Sequence, residues 1–265
     1  MQVLQKLYSL VLPLVLLSTL AGVPTQTIAV DNQRRLQSAP SGAGWAMQAM
    51  AALTGGNPVN SVSESGSVTL TVGSDQEQGT ITLQSTGIMT NQIAISTSAG
   101  NRSETRSWDG NRPSGQWTGL DGQPHSMKQF NCWTDAVWFF PALSLLSDYA
   151  DPSLVFIDLG QLQYSGGSVE HIQVYRYLPN LPQEIQQQIQ RWSTVDYYLD
   201  SQTALPVAMT FSTFGDHNLN FAVPVAIVFS QYQVVNGIQV PFQVTRLLNG
   251  SPLLQINITN VVPNG

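Results

Sequence analysis

Alternation of apolar and polar residues with a period of two governs most of the chain. It predicts strands at residues 67–72, 79–83, 92–97, 102–108, 154–159, 169–177, 194–199, 206–211, 225–233, 238–247 and 253–261. Short turns separate these segments, and Asn236-Gly237 is the strongest hairpin signal among them. Strands joined by tight turns pair antiparallel, so we expect one mainly β (α+β) domain with a single curved antiparallel sheet of about ten strands and two or three helices.

Three segments depart from this alternation and predict helices. Residues 44–53 are rich in Ala and Met, and residues 181–192 place Ile185, Ile189 and Trp192 on one apolar stripe. Residues 133–146, the most apolar stretch after the N-terminus, predict a third helix that is kinked at Pro141. Because this third segment has no polar face, it is either a mobile lid over an apolar cavity or a permanent part of the core.

The N-terminus has the organisation of a secretory signal. Lys6 supplies a positive charge, an apolar stretch follows, and Thr27 and Ala29 are the small residues of a cleavage site. A membrane anchor is the alternative, but the apolar stretch is short and contains Pro13. We therefore expect a signal peptide at 1–29, a flexible lead-in at 30–43 and a single domain at 44–265, exported to the periplasm or the extracellular space without a transmembrane anchor after cleavage.

The low charge content and the single cysteine limit the classes of function that the sequence allows. Charged residues make up only 10% of the 265, and the formal net charge is −6. Nucleic-acid binding normally needs a basic face, so we expect no nucleic-acid partner. Cys132 is the single cysteine and cannot form an internal disulfide; between Phe130 and Trp133 it is expected to be a small buried apolar residue.

No motif in the sequence carries recognisable chemistry. The histidines have unrelated surroundings, and neither HExxH, CxxC nor G-x-S-x-G occurs. Asp148 and Asp151 form either a carboxylate pair or, more simply, a turn before Pro152. We therefore expect no enzyme activity, no cofactor and no metal; a hydrolase that uses His171, His217 and Asp148 is the least supported alternative.

The order of elements resembles a known family. A short helix leads into strands, and then come Trp108-Asp109-Gly110, a helical segment with Phe139-Phe140-Pro141, and a closing hairpin at residues 232–242. This arrangement is similar to the LolA-like superfamily of exported lipoprotein-sorting and lipoprotein-carrier proteins. The resemblance implies an unclosed β-barrel whose concave face is plugged by helices, with acyl chains held between the two in the known carriers.

The resemblance implies an exported, non-enzymatic protein that binds a lipid, a lipoprotein acyl chain or another apolar ligand. One acyl chain gains about 10 kcal/mol in an apolar cavity, which is enough to carry it through water. The predicted ligand-binding residues are Trp138, Phe139, Phe140, Leu143, Ile189 and Trp192. The alternative is an envelope protein–protein interaction module with a filled core and no ligand.

Overall fold

Within the described part of the chain, thirteen antiparallel strands form one open sheet. The structure, a computed structural model, describes residues 41–109, 112–216 and 218–265, so the predicted signal peptide lies outside the described residues. The strands are β1 Ser61–Val72, β2 Asp75–Thr86, β3 Asn91–Thr97, β4 Gly100–Trp108, β5 Pro113–Thr118, β6 Pro124–Ser126, β7 Leu154–Tyr164, β8 Gly167–Arg176, β9 Val195–Asp200, β10 Pro206–Gly215, β11 Asn218–Val235, β12 Ile238–Leu248 and β13 Ser251–Pro263. The sheet order is β6-β5-β4-β3-β2-β1-β13-β12-β11-β10-β9-β8-β7. The predicted fold class, a curved antiparallel sheet forming an unclosed β-barrel, is confirmed, and the strands are more numerous and longer than the alternation indicated.

The strand order divides the sheet into two arms. Strands β1 to β6 form one meander and β7 to β13 the other, and the arms join where β1 pairs with β13. The strands at the two edges, β6 and β7, are consecutive in the chain. The connection between them, residues 127–153, therefore runs from one edge of the open sheet to the other.

Two α-helices are present in the described chain: α1, Gly42–Thr54, and α2, Gln183–Ser193. The Oγ of Ser41 accepts from the amide of Gly44 at the start of α1, and Gly55, at φ 58°, ends it in the left-handed region. Helix α1 packs on β7, β8 and β12, and α2 packs on β8 and β10. Within the described residues, no helix is both long and apolar enough to cross a membrane.

The prediction of an α-helix at residues 133–146 was wrong. This segment contains only two 3-10 turns, Pro141–Leu143 and Leu145–Asp148. Pro141 has no amide hydrogen to donate, and the carboxylate of Asp135 takes the amides of Val137 and Leu145, which an α-helix would pair with carbonyl groups. Local side-chain bonding thus replaces helical bonding although the composition of the segment favours a helix.

Candidate ligand-binding site on the concave face

A cover segment, residues 129–148, fills the concave face of the sheet. Four predicted ligand-binding residues lie here, and their exposed fractions are 1% for Trp138, 0% for Phe139 and Phe140, and 2% for Leu143. They belong to the main apolar core, together with Leu53 of α1 and apolar residues from both arms of the sheet. The structure therefore brings these four side chains together between the cover and the sheet.

The two predicted residues on α2 lie elsewhere. Ile189 is buried but is outside the main core, and Trp192 is half-buried. The ring of Trp192 lies 6.0 Å from that of Phe130, at the start of the cover segment. Helix α2 thus supports one end of the cover rather than sharing its apolar interior.

Polar side chains attach the cover to one arm of the sheet through β10. Asn131 donates from Nδ2 to the carbonyl of Phe214 at 2.8 Å, and its Oδ1 accepts from the amide of Phe214 at 2.8 Å. The hydroxyl of Thr213 also donates to this Oδ1 at 3.1 Å. One amide side chain therefore continues the hydrogen-bond pattern of β10 into the cover.

The other arm attaches to the same segment through β3 and β4. Asn91 donates from Nδ2 to the carbonyl of Ala136 at 2.7 Å, and the guanidinium of Arg106 donates to the hydroxyl of Thr134 at 3.0 Å. Because these bonds come from the opposite arm to β10, the cover bridges the two halves of the open barrel.

Asp135 organises the centre of the cover. Its carboxylate accepts hydrogen bonds from the amides of Val137 and Leu145 and from the hydroxyl of Tyr197 on β9. Burial raises the pKa of Asp135, and these hydrogen bonds oppose that rise without cancelling it. The cover is thus tied to its support at a fully buried ionisable group.

Several buried polar atoms in this interior lack a hydrogen-bond partner, among them Oδ1 of Asn91. Both carboxyl oxygens of Glu64, a residue 1% exposed, lack a hydrogen bond, as does Nε1 of Trp138. Glu64 pairs across the sheet with Leu83 and Val261, which places it on the core-facing side of β1. Unpaired buried polar atoms are uncommon in proteins.

Sequence reasoning missed a charged row on β4. Arg102, Glu104 and Arg106 alternate along the strand, and their partners on β3 include the core residues Ile93 and Ile95, so the row faces the concave side. Arg106 donates to Glu104 at 3.0 Å and Arg102 pairs with Glu77 at 2.7 Å. The signal was present in the sequence, because charges at every second position of a predicted strand must share one face.

Glu104 is held as an anion within this row. Burial opposes its ionisation, but the charges of Arg106 and Arg246 and hydrogen bonds from Asn91 and Arg106 outweigh burial and lower its pKa. The guanidinium of Arg246 also lies 5.0 Å from the ring centroid of Trp138. Arg246, on β12, therefore links Glu104 of the charged row with the aromatic side chain of Trp138 in the cover.

The side chains considered for hydrolysis are not assembled into one site. His171 bonds to Asp196 at 2.9 Å on the face of β8 opposite to the core residue Ile172. Asp148 belongs to another group, where burial first and Asp151 second raise its pKa. His217 lies outside the described residues, and among those described no three His, Cys, Asp or Glu side chains are grouped as a metal site would require.

Comparison with solved structures identifies the fold. A protein domain from Vibrio parahaemolyticus, described as outer membrane lipoprotein-sorting, is similar with a TM-score of 0.53 and 9% identity over 84% of this chain and 92% of that one. A DUF1329 family protein from Desulfovibrio piger is similar with a TM-score of 0.54 and 10% identity, over 86% of this chain and 94% of that one. A LolA superfamily protein from Nitrosomonas europaea is similar with a TM-score of 0.53 and 8% identity, over 84% of this chain and 93% of that one. The predicted likeness to LolA-like proteins is thus confirmed for the fold, while no family model and no curated protein matches the sequence.

Proposed function

We propose that this chain, which has the fold of LolA superfamily proteins, is an exported, non-enzymatic binding protein of the cell envelope. Its ligand is the acyl chain of a lipid or lipoprotein, or another apolar molecule. The ligand lies on the concave face of the sheet against Trp138, Phe139, Phe140 and Leu143. Contacts between the ligand and Ile189 and Trp192 of α2 stay a prediction from the sequence.

The observation that carries this proposal is the construction of the cover segment. Its apolar side chains fill the concave face, yet its backbone contains only 3-10 turns and contributes no strand to the sheet. Polar side chains hold it to both arms, so it can move away without breaking the hydrogen-bond ladder of the sheet. Removal of the cover exposes an apolar surface on which each CH₂ of a ligand gains about 0.8 kcal/mol.

The test is uptake of a fluorescent fatty acid by the wild-type chain and by the variant Asn131→Ala. This change removes three hydrogen bonds, two with Phe214 and one with Thr213, so we expect uptake to be faster by at least about tenfold, the equivalent of losing one of them. Asn260→Ala, at an exposed position of β13, is the matched control and should behave as wild type.

Native mass spectrometry of gently purified protein gives an independent readout. A mass increment that lipid extraction removes supports the proposal. Protein that is always empty, and that takes up no fatty acid even as the Asn131→Ala variant, contradicts it.

The complete burial of Phe139 and Phe140 favours a second candidate, an envelope interaction module whose core is permanently filled. In that case the cover never opens. Capture of a stable protein partner by chain that remains empty of lipid, with an unaltered affinity in Asn131→Ala, would favour this candidate over the first.

A further inference from the structure

A polar cleft opens beside the start of the cover segment. It has a volume of about 400 Å³ and is lined by Arg106, Ser107, Asp109, Arg112, Ser114 and Gln129, among others. Gln129 is the first residue of the cover. A Cβ added at Gly115, on the cleft wall, would lie 3.2 Å from the sulfur of Met127 and 3.3 Å from that of Cys132. The cleft and the cover are therefore in direct contact.

Arg106 connects the cleft with the concave face. It lines the cleft, its side chain is only 5% exposed, and its guanidinium bonds to Thr134 of the cover and to Glu104 of the charged row. A ligand group placed in the cleft thus lies next to the point where the cover is attached to β4.

The local charge around the cleft differs from that of the whole chain. The charged residues that line the cleft are Arg106, Arg112 and Asp109, two basic and one acidic, although the complete sequence has a net charge of −6. At the rim, the side chain of Arg112 is 70% exposed, with Nε 3.8 Å from a carboxylate oxygen of Asp109. Hydroxyl groups of Ser107 and Ser114, which are 2.9 Å apart, add further hydrogen-bonding groups.

We infer that the cleft receives the acidic head group of an amphiphilic ligand, either a phosphate or a carboxylate, while its acyl chain lies under the cover. This inference rests on the proposed function and specifies the ligand class. The exposed guanidinium of Arg112 supplies positive charge, the serines supply hydroxyl donors, and the volume accommodates a small head group. The bond between Arg106 and Thr134 marks the place where the head group and the chain separate.

The test compares four probes by isothermal titration: dodecyl phosphate, dodecanoate, dodecanol and inorganic phosphate. We expect the acidic amphiphile to bind about tenfold more tightly than dodecanol, which has the same chain and no charge. Added salt should reduce this preference because Arg112 is exposed. The acidic amphiphile with the lower dissociation constant shows whether a phosphate or a carboxylate is preferred. Inorganic phosphate alone should bind weakly.

Arg112→Gln should lower the preference for the acidic head group about threefold and leave the dissociation constant for dodecanol unchanged. Arg102→Gln is the matched control, because Arg102 lies on β4, pairs with Glu77 and does not line the cleft. It should preserve the preference.

The outcomes separate this inference from the proposed function. Equal affinity for dodecanol and dodecyl phosphate, or an unchanged preference in Arg112→Gln, overturns the head-group site and leaves acyl-chain binding intact. Inorganic phosphate that binds as tightly as dodecyl phosphate assigns the cleft to a free anion and also overturns it. Failure of every amphiphile to bind overturns the proposed function itself.

Discussion

Glu64 is the residue whose burial is hardest to explain by stability alone. Its carboxyl group lies in the core-facing row of β1, and neither oxygen has a hydrogen-bond partner. Burial raises the pKa of Glu64 well above 4.5. A carboxyl group whose pKa is raised by folding favours the folded state below its unfolded pKa, and this contribution is lost as the pH rises towards the raised value. The residue therefore lowers stability around neutral pH.

The variant Glu64→Met tests whether the buried carboxyl group lowers the free energy of unfolding. Near neutral pH the variant should be more stable than wild type by about 1–3 kcal/mol, because an apolar side chain of similar length removes an unpaired buried polar group. The gain should shrink as the pH is lowered to about 4, where the carboxyl is protonated in the folded chain. Urea unfolding between these pH values is the measurement. Glu184→Met, exposed on α2, is the control and should show no comparable gain.

At the scale of elements, the close approach of α1 to β7 depends on the absence of a side chain at Gly42. An added Cβ would lie 2.7 Å from the carbonyl carbon of Phe156 and 2.8 Å from backbone atoms of Ile157. These are backbone atoms of an edge strand, so they cannot move aside as a side-chain tip can. The helix thus covers the edge of the sheet at van der Waals distance.

Gly42→Ala should therefore destabilise the fold by about 1–3 kcal/mol, even though alanine favours helices. Thermal unfolding followed by circular dichroism measures the effect. Gly167→Ala offers a control, because its nearest contact would be the carbonyl oxygen of Tyr164 at 3.8 Å, an ordinary distance. Equal melting temperatures for both variants would show that α1 does not pack this closely.

Across the whole molecule, Arg176 links the two arms of the open barrel. The side chain extends from β8 to the arm that contains β4, where its guanidinium lies 2.9 Å from the sulfur of Met89 and 5.6 Å from the ring centroid of Trp108. It also lies 3.7 Å from a carboxylate oxygen of Asp151, in the connection that leads into β7. The side chain thus connects two arms that no backbone ladder joins at this end of the sheet.

Arg176→Met should lower the free energy of unfolding by about 1–3 kcal/mol, because it removes the contact with Trp108 and leaves Asp151 without this cation. Arg191→Met is the control: Arg191 is exposed and stacks on Phe214 within one arm, so its loss should cost less than about 1 kcal/mol. Equal losses in chemical unfolding would contradict a bridging role for Arg176.

The sequence predicted the sheet better than the site. Alternation and turns such as Asn236-Gly237 act locally, so they identified the antiparallel fold. The cover was mispredicted as a helix because its composition favours a helix, whereas its backbone amides at Val137 and Leu145 bond to the carboxylate of Asp135, which the apolar pattern does not reveal. The cleft escaped prediction because Arg106 and Gln129 meet only when the edge of the sheet and the cover come together.

The cover is joined by backbone to both outermost strands of the sheet, so a ligand of the kind proposed above would compete with the cover for the concave face. A tethered competitor has an effective concentration in the millimolar range, however dilute the protein is. Under the proposed function, each bound ligand competes continuously with a segment that cannot diffuse away. We therefore expect release without a separate displacing protein, because the cover returns to the sheet whenever the ligand momentarily detaches.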